Sequence, residues 1–171
     1  MLDIIANNNW KRPVYFSGGA FDDEDYIWMK NYLQLDGMVY KLVPVKTAIP
    51  KNGGLLEMGQ IDSDKMYANV MKWDWGNSES TSIYHDPETR RNSITYRTNL
   101  ARLMNKLISE GKNDKAKNII DLAMTKMPLE KFDYYSLIDP FAKGYYAIGE
   151  KAKAQELLQQ LITKYKENLD Y

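Results

Sequence analysis

Residues 111–116 read GKNDKA and residues 149–154 read GEKAKA, and these two stretches decide the fold of the second half of the chain. In each, a glycine is followed five places later by an alanine, and the glycines lie 38 residues apart (149 − 111). Glycine permits a tight turn after a helix, and a small residue lets two helices approach closely. The spacing predicts two helical hairpins of the tetratricopeptide type.

The flanking apolar residues keep the same offset of 38 residues. The aligned pairs are Leu100 with Ile138, Leu103 with Phe141, Met104 with Ala142, Leu107 with Tyr145, Ala116 with Ala154, Ile120 with Leu158, and Ala123 with Leu161. Met104 is the exception to the usual pattern, because a small residue is expected there. Asp139 and Pro140 predict that the third helix starts late, with Asp139 as its cap. The linker after Pro128 is predicted to be about four residues longer than in the usual repeat.

The first half of the chain reads as a small α/β region. Residues 14–17 and 38–45 are predicted as strands, since both runs are rich in β-branched and aromatic residues. The acidic run 22–25, followed by apolar residues at helical spacing, predicts a helix between them that Gly37 ends. A strand–helix–strand order over this length predicts parallel strands joined by a right-handed crossover. Asp62 is predicted to cap a further helix with Met66, Tyr67, Val70 and Met71 on one face.

These patterns predict an α+β, mostly α chain. Residues 1–92 would hold two strands and two to three helices, and residues 93–171 the repeat region, with the turn-rich segment 77–92 as the boundary. Leu2, Ile4 and Ile5 followed by three asparagines read as the end of a helix, so we expect the chain to be part of a longer protein.

Composition excludes several classes of function. Lys+Arg and Asp+Glu number 23 each, so the chain lacks the basic excess of a nucleic-acid-binding protein. The absence of cysteine excludes disulfides and thiolate chemistry. No apolar run approaches the ~18 residues that a membrane span needs.

The sequence offers no strong catalytic, metal or cofactor motif. His85 is read as a loop histidine in an Asp-Pro turn, in preference to a general base oriented by Asp86, because no nucleophile motif accompanies it. Residues 22–25 are read as a complement to a helix dipole rather than as a metal site. Gly18 and Gly19 lack the further residues of a phosphate-binding loop. We therefore expect no catalytic residue, cofactor or metal in this chain.

Two sets of residues are candidates for binding. Arg102, Asn105 and Ser109 share the polar face of one predicted helix, and Lys143 and Tyr146 hold the corresponding face of the next. In tetratricopeptide arrays such a face binds a protein or peptide.

The alternative is a glycan-binding site built on Trp73 and Trp75, with Trp10 and Trp28 as further rings available for sugar stacking. Packing of these rings in a core or an interface is the favoured reading.

Four segments carry a resemblance to a known family: residues 3–16 (DIIANNNWKRPVYF), 32–44 (YLQLDGMVYKLVP), 66–71 with Trp75-Gly76, and Arg97 to Gly111. They resemble multi-pass membrane proteins related to protein O-mannosyltransferases. The resemblance implies a soluble C-terminal region on the extracytoplasmic, periplasmic side of a membrane glycosyltransferase that uses a lipid-linked sugar. Its catalytic residues would lie upstream of this chain. The implied partners are the rest of that membrane protein and its acceptor protein, and the implied role is interaction and support.

Overall fold

The computed structural model of the chain describes residues 2–17, 28–47 and 58–169. The contacts divide the chain into two compact units, Met1–Met66 and Tyr67–Tyr171. This division lies upstream of the boundary predicted at residue 92, and the helix that begins at Pro87 runs through that predicted boundary.

A four-stranded sheet forms the framework of the first unit. Its strands are β1 (Tyr15–Ser17), β2 (Leu33–Asp36), β3 (Val39–Leu42) and β4 (Gln60–Ile61), in the spatial order β1-β3-β2-β4. Both predicted strands are present, with bounds shorter than predicted. β1 and β2 each pair with β3 in antiparallel register, and β4 pairs with β2 in parallel register.

The predicted parallel crossover is wrong, because residues 33–36 form a strand. Leu33 and Leu35 are buried while Gln34 and Asp36 are partly exposed, which is the period-two pattern of a strand. Asp36 pairs with Val39 across a two-residue turn, and Gly37 has φ +71°. A positive φ at the first central position suits a tight hairpin turn, so Gly37 turns a strand rather than ending a helix. The acidic run 22–25 and the Gly18-Gly19 pair lie outside the described residues.

In the described part of the first half of the chain there are two short α-helices. The helix α1 (Leu2–Asn8) ends at its asparagines as predicted, and Asn9 follows with φ +47°. The helix α2 (Ser63–Val70) is capped as predicted by Asp62, whose Oδ1 accepts from the Lys65 amide at 3.2 Å. Met66 and Val70 are buried, whereas Met71, beyond the end of α2, is exposed.

The second unit contains two helical hairpins. The first joins α3 (Pro87–Ser109) to α4 (Asn113–Lys126), and the second joins α6 (Asp139–Ala147) to α7 (Lys151–Leu169). A one-turn helix, α5 (Leu129–Phe132), and a 3₁₀ turn, Tyr135–Ile138, connect them. The hairpins were predicted, and their assignment to the tetratricopeptide class stays a prediction.

Both hairpin turns contain the same pattern of backbone hydrogen bonds. Gly111 has φ +73° and Gly149 has φ +88°. The amide after each glycine donates back across the turn, from Lys112 to the Leu107 carbonyl and from Glu150 to the Tyr145 carbonyl, both at 2.9 Å. This pattern is the Schellman motif, and it satisfies carbonyls that the helix end would otherwise leave free.

The residues aligned by the 38-residue offset form the core of the second unit. Ala116 and Ala154 are both fully buried, so each second helix approaches its first helix closely, as predicted. All the other aligned residues are also buried except Leu158, which is partly exposed. The predicted cap at Asp139 is wrong: Asp139 is the first residue of α6 itself, and its Oδ2 lies 2.5 Å from Lys143 Nζ.

A buried arginine anchors the linker between the hairpins. Arg97, which is fully buried in α3, donates to the carbonyls of Met127 at 2.9 Å and Asp133 at 2.5 Å. Asp133 and Tyr134 have φ of +48° and +50°, and Arg90 binds the Asp133 carboxylate at 2.8 Å. Burial lowers the pKa of Arg97 to about 10, and the charge of Asp133 partly offsets this shift by raising it. Because a pKa of about 10 is well above neutral pH, the guanidinium stays charged there. These contacts hold in place the extra linker residues that the sequence predicted.

Candidate functional site

The five residues of the predicted binding face lie on two helices that pack against each other. Arg102, Asn105 and Ser109 lie on α3, and Lys143 and Tyr146 on α6. Four of them are exposed and Arg102 is partly exposed. Lys143 pairs with Asp139 of its own helix, and the Ser109 hydroxyl donates to the Lys106 carbonyl.

The close approach of α3 and α6 depends on Gly144. A Cβ atom at Gly144 would overlap Met104 Sδ and would lie 3.1 Å from Ile120 Cδ1. Met104 is fully buried, so its side chain fills the space that Gly144 leaves. Met104, where the predicted repeat pattern expects a small residue, is therefore matched by a glycine on the facing helix, and this pair lets α3 and α6 approach closely.

Trp73 and Trp75 form a three-ring cluster with Tyr96 of α3. The ring centroids lie 5.6 Å apart for Trp73–Trp75, 5.6 Å for Trp73–Tyr96 and 5.7 Å for Trp75–Tyr96. The Trp73–Tyr96 contact is edge-to-face, a favourable aromatic geometry. All three side chains are partly exposed. Trp10 and Trp28 belong to the first unit and are more than half exposed.

His85 and Asp86 have separate structural partners. His85 Nε2 lies 2.8 Å from the Ser78 carbonyl oxygen, and the imidazole packs on Phe132 with ring centroids 4.5 Å apart. Asp86 caps α3: its Oδ1 accepts from the amides of Glu88 and Thr89, and its Oδ2 from the Thr89 hydroxyl. These hydrogen bonds lower the pKa of Asp86, chiefly those from Thr89. Within the described ranges, no group of three or more His, Cys, Asp or Glu residues is arranged to hold a metal ion.

A groove of about 1040 Å³ runs between the second helices of the two hairpins, α4 and α7. We call it the α4–α7 groove. Asp121, Met124 and Thr125 of α4 line one side, a stretch of α7 from Lys153 to Glu167 lines the other, and residues 128–130 and Tyr145 complete it. None of the five predicted face residues lines this groove.

Three of the residues that line the groove form a hydrogen-bonded triad. Asp121 Oδ1 accepts from the Tyr145 hydroxyl at 2.5 Å and from Lys153 Nζ at 2.7 Å, and Lys153 Nζ also lies 5.5 Å from the centre of the Tyr145 ring. Burial alone would raise the pKa of Asp121, but the hydrogen bonds from Lys153 and Tyr145 outweigh it and lower that pKa. Burial and the Asp121 carboxylate raise the pKa of the Tyr145 phenol. Tyr145 therefore stays protonated as a donor, and the triad fixes α4 against the second hairpin.

The α4–α7 groove was not predicted from the sequence. The available signal was the polar stripe of Glu156, Gln160, Thr163 and Glu167 on α7, at spacings of three and four residues, beside the buried Leu157. A polar stripe of this kind also describes an ordinary solvated helix face. Only the position of α4 opposite the stripe makes it one wall of a groove.

Comparison with known proteins concerns the first unit. Residues 1–65 match the family described as TMEM260-associated domain 2. The match ends one residue before the end of the first compact unit, and it links the chain to the TMEM260 family of membrane proteins. No curated protein and no solved structure gave a significant match. Among the described residues, no helix is both long and apolar enough to cross a membrane.

Proposed function

We propose that this chain is a non-catalytic interaction and support region of a TMEM260-type membrane protein. Its first unit would attach to the rest of that protein, since the family match covers this unit. Its second unit would bind a protein partner through the face formed by Arg102, Asn105, Ser109, Lys143 and Tyr146. What supports this role is the close packing of α3 against α6 at Met104 and Gly144, since these two helices carry all five candidate residues.

The proposal extends to the intact protein by resemblance. That protein would be a glycosyltransferase acting on a lipid-linked sugar, and this chain would lie on the extracytoplasmic side and hold or select the acceptor protein. The polar, partly charged face suits a transient partner, since non-obligate interfaces are about as polar as the rest of a protein surface.

The test is a quantitative pull-down from detergent-solubilised membranes of the source cell. The immobilised chain is compared with the variant carrying Asn105→Ala, Lys143→Ala and Tyr146→Ala. The control carries Gln155→Ala and Lys166→Ala on exposed positions of α7 outside the groove. We expect the face variant to lose at least about 80% of the partners retained by the wild type, because a few interface residues, with tyrosine prominent among them, carry most of the binding energy. Equal recovery by the face variant and the control would refute the binding face.

Glycan binding by Trp73 and Trp75 is the second candidate, supported by the partial exposure of these adjacent rings. Titration of tryptophan fluorescence with manno-oligosaccharides tests it. Trp10→Phe and Trp28→Phe are introduced first, so that the signal reports only on the ring cluster. A saturable change supports this role, and an unchanged spectrum eliminates it.

A further inference from the structure

The α4–α7 groove has the length of a short peptide. Its wall on α7 extends from Lys153 to Glu167, which corresponds to about 21 Å at 1.5 Å per helical residue. An extended chain rises about 3.3 Å per residue, so the groove can hold about six residues. The occupant would lie alongside the helix for nearly four turns.

The floor and the rim of the groove differ in polarity. Leu129 and Leu157 are buried at its floor, and Met124 and Pro128 beside them are partly exposed. Glu130 and Glu156 are exposed at the rim. Successive side chains of an extended peptide point to opposite faces, so such a peptide would place one set on the apolar floor and the other toward the rim.

The lining of the groove is acidic although the chain as a whole is neutral. Four carboxylates and two lysines line it, which gives a net charge of −2 (two minus four). Lys153 pairs with Asp121 at 2.7 Å and Lys164 with Glu167 at 2.8 Å. The two remaining carboxylates, Glu130 and Glu156, form no ion pair within the described part of the chain. The uncompensated charge therefore lies at the rim, where a ligand would meet it.

We propose that the α4–α7 groove binds an extended peptide segment of a partner protein in which basic and apolar residues alternate. The apolar side chains would lie on Leu129 and Leu157, and the basic side chains would reach Glu130 and Glu156 along their flexible stems. The amide groups of Gln159 and Gln160 on the same wall are available for hydrogen bonds to the peptide backbone. This surface is separate from the α3–α6 face, so it adds a second binding site to the proposed function.

The test uses fluorescein-labelled hexapeptides of sequence KLKLKL and ELELEL and the full 171-residue chain, with fluorescence anisotropy as the readout. We expect the basic peptide to bind at least about tenfold more tightly than the acidic one at low salt, with the difference falling as salt is raised. The variant Glu130→Gln/Glu156→Gln should weaken binding of the basic peptide about tenfold. Gln160→Lys, which places a positive charge inside the groove, should weaken the basic peptide and strengthen the acidic one.

The matched control is Glu88→Gln/Asp114→Asn, which removes the same charge from exposed positions outside the groove. Thermal denaturation by circular dichroism verifies that each variant is folded. Equal binding of the two peptides, or equal weakening by the groove and control variants, would overturn the proposal. Absence of peptide binding, together with a dimer in sedimentation that Gln160→Lys dissociates, would also overturn it, because the occupant would then be a second copy of the chain.

Discussion

Gly144 and Met104 lie against each other between α3 and α6, and one added Cβ atom at Gly144 would overlap the Met104 side chain. Met104 is larger than the residue that the predicted repeat pattern expects there, and Gly144 has no side chain to compete with it. A fully buried side chain has little room to move aside, because protein interiors are close-packed.

We predict that Gly144→Ala destabilises the chain by about 1 kcal/mol. Overpacking costs about 1–3 kcal/mol, and the better helix propensity of alanine returns up to about 1 kcal/mol. Met104→Ala alone should cost about 2–5 kcal/mol through the cavity it leaves. Urea denaturation of the two single variants and the double variant measures the coupling. The double variant should lose less stability than the two single variants lose together. Strictly additive losses would show that the two residues do not share this space.

Asp121 is a second residue to consider, because its surroundings make the stability of the fold depend on pH. Its hydrogen bonds keep the pKa of Asp121 below the ordinary value of about 3.9. Protonation therefore favours the unfolded chain, and the ionised carboxylate stabilises the fold above that pH. This contribution is lost as the pH falls through the pKa of Asp121 in the folded state.

We predict that Asp121→Asn and Tyr145→Phe each cost about 1 kcal/mol at neutral pH, the usual effect of losing a partly buried hydrogen bond. The stability gap between the wild type and Asp121→Asn should shrink as the pH falls below the ordinary aspartate pKa of about 3.9 and through the lower pKa of Asp121 in the folded state. Denaturant titrations across this pH range measure the gap. Asp139→Asn, which removes an exposed ion pair with Lys143, is the control and should change stability little at any pH. A pH-independent gap for Asp121→Asn would contradict the assignment.

At the scale of elements, the two helical hairpins depend on the glycines in their turns. Gly111 and Gly149 both adopt left-handed backbone conformations, and a Cβ at either position would meet no atom within 4 Å. The requirement for glycine is therefore conformational rather than steric toward neighbours. Lys117 of α4 also donates to the Glu150 carboxylate beside the second turn, which ties the two hairpins together.

We predict that Gly111→Ala and Gly149→Ala each destabilise the chain by about 1 kcal/mol, because alanine is strained at positive φ. Gly111→Asn and Gly149→Asn should cost less, since asparagine tolerates this conformation. Thermal melts of the four variants measure the difference. If alanine and asparagine proved equally costly, the turns would have to be constrained by something other than backbone conformation.

At the scale of the whole molecule, the family match and the division into units agree. The matched residues 1–65 coincide with the first compact unit, and the helical hairpins form the second. The second unit has its own continuous core, contributed by all four long helices. A unit with its own core is expected to fold independently.

We predict that a fragment of residues 63–171, which keeps α2 intact, folds without the preceding sheet. It should show a helical circular dichroism spectrum and unfold in a single cooperative transition in urea. The full chain is the reference for the helical signal. A broad, non-cooperative transition of the fragment would mean that the hairpins depend on the first unit for their stability.

The sequence by itself determined the elements whose signals are local. Gly111 and Gly149, each with an alanine five places on, defined the hairpins, since a turn and a close approach both need a particular residue at one position. Asp62 and the apolar run 38–45 likewise predicted a cap and a strand. The exposure of Asn105, Lys143 and Tyr146 followed from helix periodicity alone.

Tertiary structure decided what depends on residues distant in sequence. Residues 33–36 became a strand because β3 and β4 offered hydrogen-bond partners on both sides, against a helical spacing that misled the prediction. The Gly144–Met104 fit, the anchoring of the linker by Arg97 and the α4–α7 groove all join residues 24 or more positions apart. Local propensity carries no information about such partners, because the energy of each contact exists only once both helices are packed.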